Sequence, residues 1–220
     1  MPIIRAADDA PTLAVRLASA ALALLAWAAL LLQLLLSVRL ALANGHGIGH
    51  GLLVYTGFFT ILSNLLVALV LTAWAGAGRR GRPGWLRRPG TAAVAAAGIA
   101  VVAIAYHLLL RQVWDPRGWQ LLADQLLHYL VPAGYLLWWW RVPGRARLRW
   151  RQWPWWLVWP MAYLVYALAR GELTGLYPYP FIDVPRLGYG AALANAGAIL
   201  VGYGLVAAAL LQLTRWRKRD

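Results

Sequence analysis

Six apolar runs, each close to the length that crosses a bilayer, leave this chain little choice of fold. They are Leu17 to Val38, Leu52 to Ala75, Thr91 to Leu110, Trp119 to Trp140, Trp153 to Ala169 and Leu187 to Leu213. A spanning helix needs about 20 predominantly apolar residues. The fifth run is only just long enough, and the fourth is the least hydrophobic, holding Asp124, Gln125 and His128 in its first half. The expected class is all-α: a polytopic integral membrane bundle of six transmembrane helices over 17–38, 52–75, 91–110, 119–140, 153–169 and 187–213, forming one domain over 1–220.

Composition agrees. With 62% hydrophobic and 13% charged residues, the chain has too little polar surface for a soluble globule. A secretory signal peptide would have an apolar region of only about 7–15 residues, and the first run is longer and followed by further spans. Cysteine is absent, which excludes disulfides, thiolate metal sites and a cysteine nucleophile.

The formal charge of +14 is a topology signal. Of the 21 Lys and Arg residues, the lead before the first run holds 2, the connection 75–90 holds 5, the connection 141–152 holds 5 and the tail holds 4. The other side holds only Arg39, Arg111, Arg117, Arg170 and Arg186. The positive-inside rule then predicts a cell-membrane protein with both termini cytoplasmic, and the Trp residues near 74–85, 138–156 and 216 form an interfacial belt on that side. The expected partners are the bilayer and anionic lipids at its cytoplasmic face. No single basic patch on a soluble fold exists, so nucleic acid is not an expected partner.

Polar residues inside such runs are costly and usually face a bundle interior or a wet cavity. The stretch Tyr55 to Leu66 concentrates them: Thr60, Ser63 and Asn64 stand at i, i+3 and i+4 and share one helical face. Ser, Thr and Asn also tie membrane helices together, and that reading stays open for each alone. The predicted orientation sets Thr60 about 12 Å below the outer interface. It brings His107, His128 and Asn195 from three other helices to the same outer layer. Asp124 lies at i−4 to His128 and so on the same face, either orienting the ring as in hydrolytic triads or serving as a first-turn acid at a helix dipole.

Phe58-Phe59-Thr60-Ile61-Leu62-Ser63-Asn64, the His128-x-x-x-Pro132 stretch and Tyr179-Pro180-Phe181-Ile182-Asp183 together resemble the signatures of the androgen-induced-protein-like family of six-span membrane proteins. The resemblance covers most of the chain. Eukaryotic members of that family hydrolyse fatty acid esters of hydroxy fatty acids with an intramembrane threonine nucleophile and a histidine partner. The resemblance therefore implies Thr60 as nucleophile, His128 as base and an amphiphilic lipid ester as substrate. The Ala, Arg, Leu and Trp bias looks bacterial and leaves room for another lipid.

The chemistry is coherent. A threonine hydroxyl is a weak nucleophile without an adjacent base, and histidine is suited to take and return the proton. An oxyanion donor is also required, for which Asn64 and Asn195 are the available amides; Ser63, His107 and Asp183 complete the supporting set, the roles of His107 and Asp183 being open. No cofactor is expected. His46-Gly-Ile-Gly-His50 has the spacing of a zinc pair, but alternate glycines oppose the helix that this spacing needs, so no metal is expected. The loop 170–186, broken by prolines, reads as a stiffened connection without regular structure. A transporter or lipid-binding protein whose polar layer binds without chemistry is the alternative function.

Overall fold

The computed structural model describes residues 11–77, 84–142 and 148–216, the side chains of 215 and 216 excepted. Every regular element among them is helical. Helix α1 spans Leu13–Ala43, α2 Ile48–Gly57, α3 Phe59–Ala75, α4 Pro89–Ala105, α5 Trp119–Gln125, α6 Val131–Arg141, α7 Trp153–Trp156, α8 Val158–Thr174 and α9 Val184–Trp216. Two π-helical turns, Tyr106–Leu110 after α4 and Leu126–Leu130 between α5 and α6, continue those helices with wider winding.

Three of these helical stretches are long and apolar enough to cross a membrane: Leu13–Ala43, Pro89–Leu110 and Val184–Thr214. The pair α2 and α3 raises the number to four if it forms one broken span. The stretch through α5 and α6 carries Gln120, Asp124, Gln125, His128 and Arg141, whereas α8 has only 17 residues and holds Arg170 and Glu172. Exposed leucines along α1, among them Leu17, Leu24, Leu31 and Leu35, form the kind of apolar exterior that water would not tolerate but lipid does.

Small residues build the centre. Ala23, Ala26 and Ala29 of α1 and Ala92, Ala93, Ala96 and Ala97 of α4 are buried, with Tyr135, Trp139, Trp156 and Tyr203 filling the gaps between helices. Small faces let backbones approach closely, and Gly51 shows how closely: a Cβ there would lie 2.8 Å from the Val38 Cα. Indole donors pin the helices laterally, Trp138 Nε1 to Ser19 Oγ at 2.8 Å and Trp27 Nε1 to Thr72 Oγ1 at 3.1 Å.

Three expectations are corrected. The second run is not one helix beginning at Leu52: α2 starts at Ile48 behind Gly47, and the chain bends by 81° at Phe58, whose φ of −87° and ψ of 133° are extended. The break is stable because α8 takes over the acceptors at the α2 C-terminus. The Tyr163 hydroxyl donates to Gly57 O at 2.9 Å, the Tyr166 hydroxyl to Thr56 O at 3.3 Å and Arg170 Nη2 to Leu53 O at 2.7 Å. These three donors lie on one face of α8, and the cation suits a helix C-terminus.

The second correction concerns the connection 170–186. Residues 170–174 continue α8, which stops at Gly175 with φ of 71°, residues 180–182 form a 3-10 turn, and α9 starts at Val184 with a kink at Gly188 (φ 75°). Prolines at a first helical turn are tolerated because the missing N–H was unpaired anyway. The third concerns the fifth run, which is divided: α7 is one turn, and α8 carries the helix on past Ala169. Arg5, Asp8, Asp9, Arg79, Arg80, Arg82, Arg145, Arg147 and the tail from Arg217, on which much of the predicted topology rests, lie outside the described residues.

Candidate active site

The break at Phe58 starts a new helix at the polar stretch. Its first intrahelical bond runs from Ile61 N to Phe58 O at 3.1 Å, so the N–H groups of Phe59 and Thr60 precede the ladder and have no acceptor within it. Thr60 is buried in the first turn of α3, where the helix dipole favours negative charge.

His128 comes from the second π turn. Pro132 has no N–H, so in π register the carbonyl of Leu127, five residues earlier, lacks its backbone donor. Asn64 supplies one: its Nδ2 donates to Leu127 O at 3.2 Å and to Thr60 O at 2.8 Å. One amide therefore ties the backbone beside His128 to the backbone of Thr60. Its Oδ1 is buried without a partner.

The two side chains meet. Thr60 Oγ1 lies 3.4 Å from His128 Nε2. His128 Nδ1 lies 3.0 Å from the Asp124 carbonyl and 3.2 Å from Asp124 Oδ1, both acceptors. The network thus assigns the ring proton to Nδ1 and the acceptor lone pair to Nε2, toward Thr60. Asp124 is buried and its other oxygen accepts from the Tyr106 hydroxyl at 2.6 Å. Tyr106 also stacks on the imidazole, with ring centroids 3.8 Å apart and an interplanar angle of 15°.

Tyr179 closes the other side. It is buried, packs edge-on against Phe58 and face-on against Phe181, and its hydroxyl interacts with the Thr60 hydroxyl, with the N–H groups of Phe59 and Thr60 and with Tyr163. Burial pushes its phenol above the ordinary tyrosine range, and those contacts draw it part of the way back.

Two cavities meet at Thr60. One, of about 90 Å³, runs among α4, α8 and α9 and is walled by groups such as Val102, Leu164, Ile182 and Leu200. The other, of about 300 Å³, runs toward α1 and α5 and includes Asp124 and His128 together with Gln33, Ser37 and Gln120. Thr60, Tyr106 and Tyr179 line both.

Of the residues singled out in sequence, Thr60, His128, Asp124 and Asn64 are brought together. Ser63 is buried one turn along and accepts from Trp159 Nε1 at 3.3 Å, which holds α3 to α8. His107 is exposed and pairs with the Tyr129 hydroxyl at 3.2 Å. Asn195 is exposed and donates to Phe181 O at 3.0 Å. Asp183 accepts from Arg186 N at 3.4 Å as a cap on α9. The amide hydrogens of Asn64 and Asn195 are thus engaged by backbone carbonyls. Tyr106 and the Gln33–Gln120 pair are residues that sequence reasoning missed. Tyr106 carries the only signal that was available, a hydroxyl next to His107 within an apolar run.

His46, in the turn after α1, and His50, in the first turn of α2, stack on each other with centroids 4.1 Å apart. Among the described residues no group of three or more potential metal ligands occurs. In comparisons with protein-family models, curated proteins and solved structures, nothing matches this chain.

Proposed function

We propose that this protein is a six-span membrane ester hydrolase that uses Thr60 as nucleophile and His128 as general base on a lipid ester. The observation that carries the reading is the line Thr60 Oγ1, His128 Nε2, His128 Nδ1 and Asp124 Oδ1, with contacts of 3.4 and 3.2 Å. Each link has the role that acyl transfer needs: a hydroxyl beside an unprotonated ring nitrogen, and a carboxylate behind the ring that fixes its tautomer and stabilises the imidazolium. A gap slightly longer than a tight hydrogen bond is common in the unliganded state of such sites.

In this mechanism Thr60 Oγ1 attacks the ester carbonyl as its proton passes to His128 Nε2. The oxyanion is received by the Phe59 and Thr60 N–H groups at the start of α3 and by the Tyr179 hydroxyl. The tetrahedral adduct collapses, the carbon–oxygen ester bond breaks, and His128 returns the proton to the leaving alcohol. Water then attacks the acyl-threonine with His128 again taking a proton, and fatty acid and free Thr60 are released.

The six-span topology with cytoplasmic termini belongs to the same proposal. It rests on the Lys and Arg asymmetry and on the continuous helical stretch through α5 and α6, of which Gln120, Asp124 and His128 face the site and need not face lipid. The family resemblance adds fatty acid esters of hydroxy fatty acids as one substrate class to assay. The test is hydrolysis of a panel of lipid esters by the purified protein in detergent, with Thr60→Val and His128→Ala alongside. Turnover abolished in both folded variants supports the reading, whereas turnover retained in Thr60→Val overturns it.

A further inference from the structure

The two cavities that meet at Thr60 differ in chemistry. In the smaller one the wall is hydrocarbon, and its tyrosines spend their hydroxyls elsewhere, Tyr163 on Gly57 O and Tyr203 on Val94 O. It runs toward Ile199 and Leu200 of α9 and toward Leu109, which is 52% exposed on the outside of the bundle. An alkyl chain longer than this cavity would meet apolar surface at Leu109.

The larger cavity ends in an amide and hydroxyl relay joining α1 to α5. Gln120 Nε2 donates to Gln33 Oε1 at 2.8 Å, and Gln33 Nε2 donates to Ser37 Oγ at 3.3 Å. That relay leaves the Gln120 carbonyl as an acceptor and the Ser37 hydroxyl as a donor for anything that enters. Both kinds of group are neutral. Among the described residues, no Lys or Arg lines this cavity, and the acid that does, Asp124, is committed to His128 and Tyr106. A free carboxylate on the substrate would therefore meet a buried acid in the wall, while the cation that acts on Tyr106, Arg111, is exposed and outside the lining, and like charges placed together are costly. A hydroxyl or amide would meet partners at both ends.

Building on the hydrolase reading, we infer that the substrate is an acyl ester of a neutral, hydrogen-bonding alcohol such as an acylglycerol, its acyl chain in the α4–α8–α9 cavity and its alcohol part against Gln33, Ser37 and Gln120. The relay is then the specificity element of the enzyme, and the resemblance-implied ester of a hydroxy acid, with its free carboxylate, is the poorer substrate.

Three esters of oleate separate these cases: monooleoylglycerol, the ester of a hydroxystearate with its carboxylate free, and the same compound as its methyl ester, which differs by the charge alone. With the full-length protein in detergent, kcat/KM for monooleoylglycerol is expected to exceed that for the free carboxylate by at least about tenfold, with the methyl ester in between. In Gln120→Leu and in Gln33→Leu the ratio of monooleoylglycerol to methyl ester should fall by about three- to tenfold, mainly through KM, because a neutral hydrogen bond is lost from one substrate only. A ratio is insensitive to partial loss of folded protein. Equal or faster hydrolysis of the free carboxylate overturns the inference, as does a ratio unmoved in both variants. Labelling of wild-type Thr60 by a fluorophosphonate is measured on the same preparation. If Thr60 reacts and the selectivity is absent, the substrate assignment alone has failed. If Thr60 does not react, the hydrolase reading fails and takes the inference with it.

Discussion

The ring of Tyr106 lies parallel to the imidazole of His128, centroids 3.8 Å apart, and the same tyrosine donates to the carboxylate that backs that imidazole. One residue therefore restrains both His128 and Asp124. Tyr106→Phe keeps the stack and loses the bond to Asp124, and should lower kcat by roughly three- to tenfold. Tyr106→Leu loses both and should cost more, on the order of 100-fold. Steady-state kinetics on any accepted ester checks the order; equal rates in the two variants would assign the stack no role.

Asn64 links the backbone of Thr60 to the backbone beside His128. Asn64→Leu leaves the Thr60 and Leu127 carbonyls without their shared donor. The expected cost is about 1–3 kcal/mol of stability and a fall in kcat of at least about tenfold as the 3.4 Å contact loosens. Thermal unfolding in detergent and kinetics on the same sample measure the two effects. A variant that loses stability while its surviving fraction turns over at the wild-type rate would make Asn64 structural only.

Tyr179 should act as a donor to the oxyanion. Tyr179→Phe is expected to lower kcat by about 10- to 100-fold with little change in KM. Its pH behaviour follows from burial, which raises the phenol in the folded state above its unfolded value near 10. Such a group contributes stability that is fully present below the unfolded value and is lost as pH rises above it. The unfolding temperature should thus decline above about pH 10, and less steeply in Tyr179→Phe. Identical pH slopes in the two proteins would contradict this.

The break at Phe58 depends on α8. Arg170 is buried, donates to the carbonyls of Leu53 and Leu176, and packs against Gly57, where a Cβ would come within 2.8 Å of the guanidinium carbon. Arg170→Met should cost roughly 2–4 kcal/mol because two acceptors lose their donor. Gly57→Ala should be destabilising and should reduce activity, since moving Arg170 disturbs the helix end next to Thr60. A Gly57→Ala protein with unchanged unfolding temperature and kinetics would show that this contact is slack.

Much of this arrangement was legible in sequence because it follows from polarity within apolar runs. Thr60, Asn64, Asp124 and His128 stood out as polar groups in expensive positions, and i, i+4 spacing put Asp124 behind His128. The bend at Phe58 was not legible, since no proline marks it and the donors that stabilise it, Tyr163, Tyr166 and Arg170, sit more than 100 residues away in sequence. The π turns were hidden too: Pro132 signals a missing donor, but not that Asn64 of another helix replaces it. Tyr179 was visible as the start of a signature-like stretch in a proline-rich connection, but not as a contact of Thr60, because fold-back onto Thr60 is set by tertiary packing such as the Tyr177 ring over Gly171.

The most direct test of Thr60 as an activated nucleophile is covalent labelling. The purified protein is treated with a fluorophosphonate in detergent, beside Thr60→Val and His128→Ala, and the modified peptide is located by mass spectrometry. Modification of wild-type Thr60, with both folded variants unlabelled, is the expected result. Modification at another residue, or labelling of Thr60 that persists without His128, would contradict the Thr60–His128 mechanism.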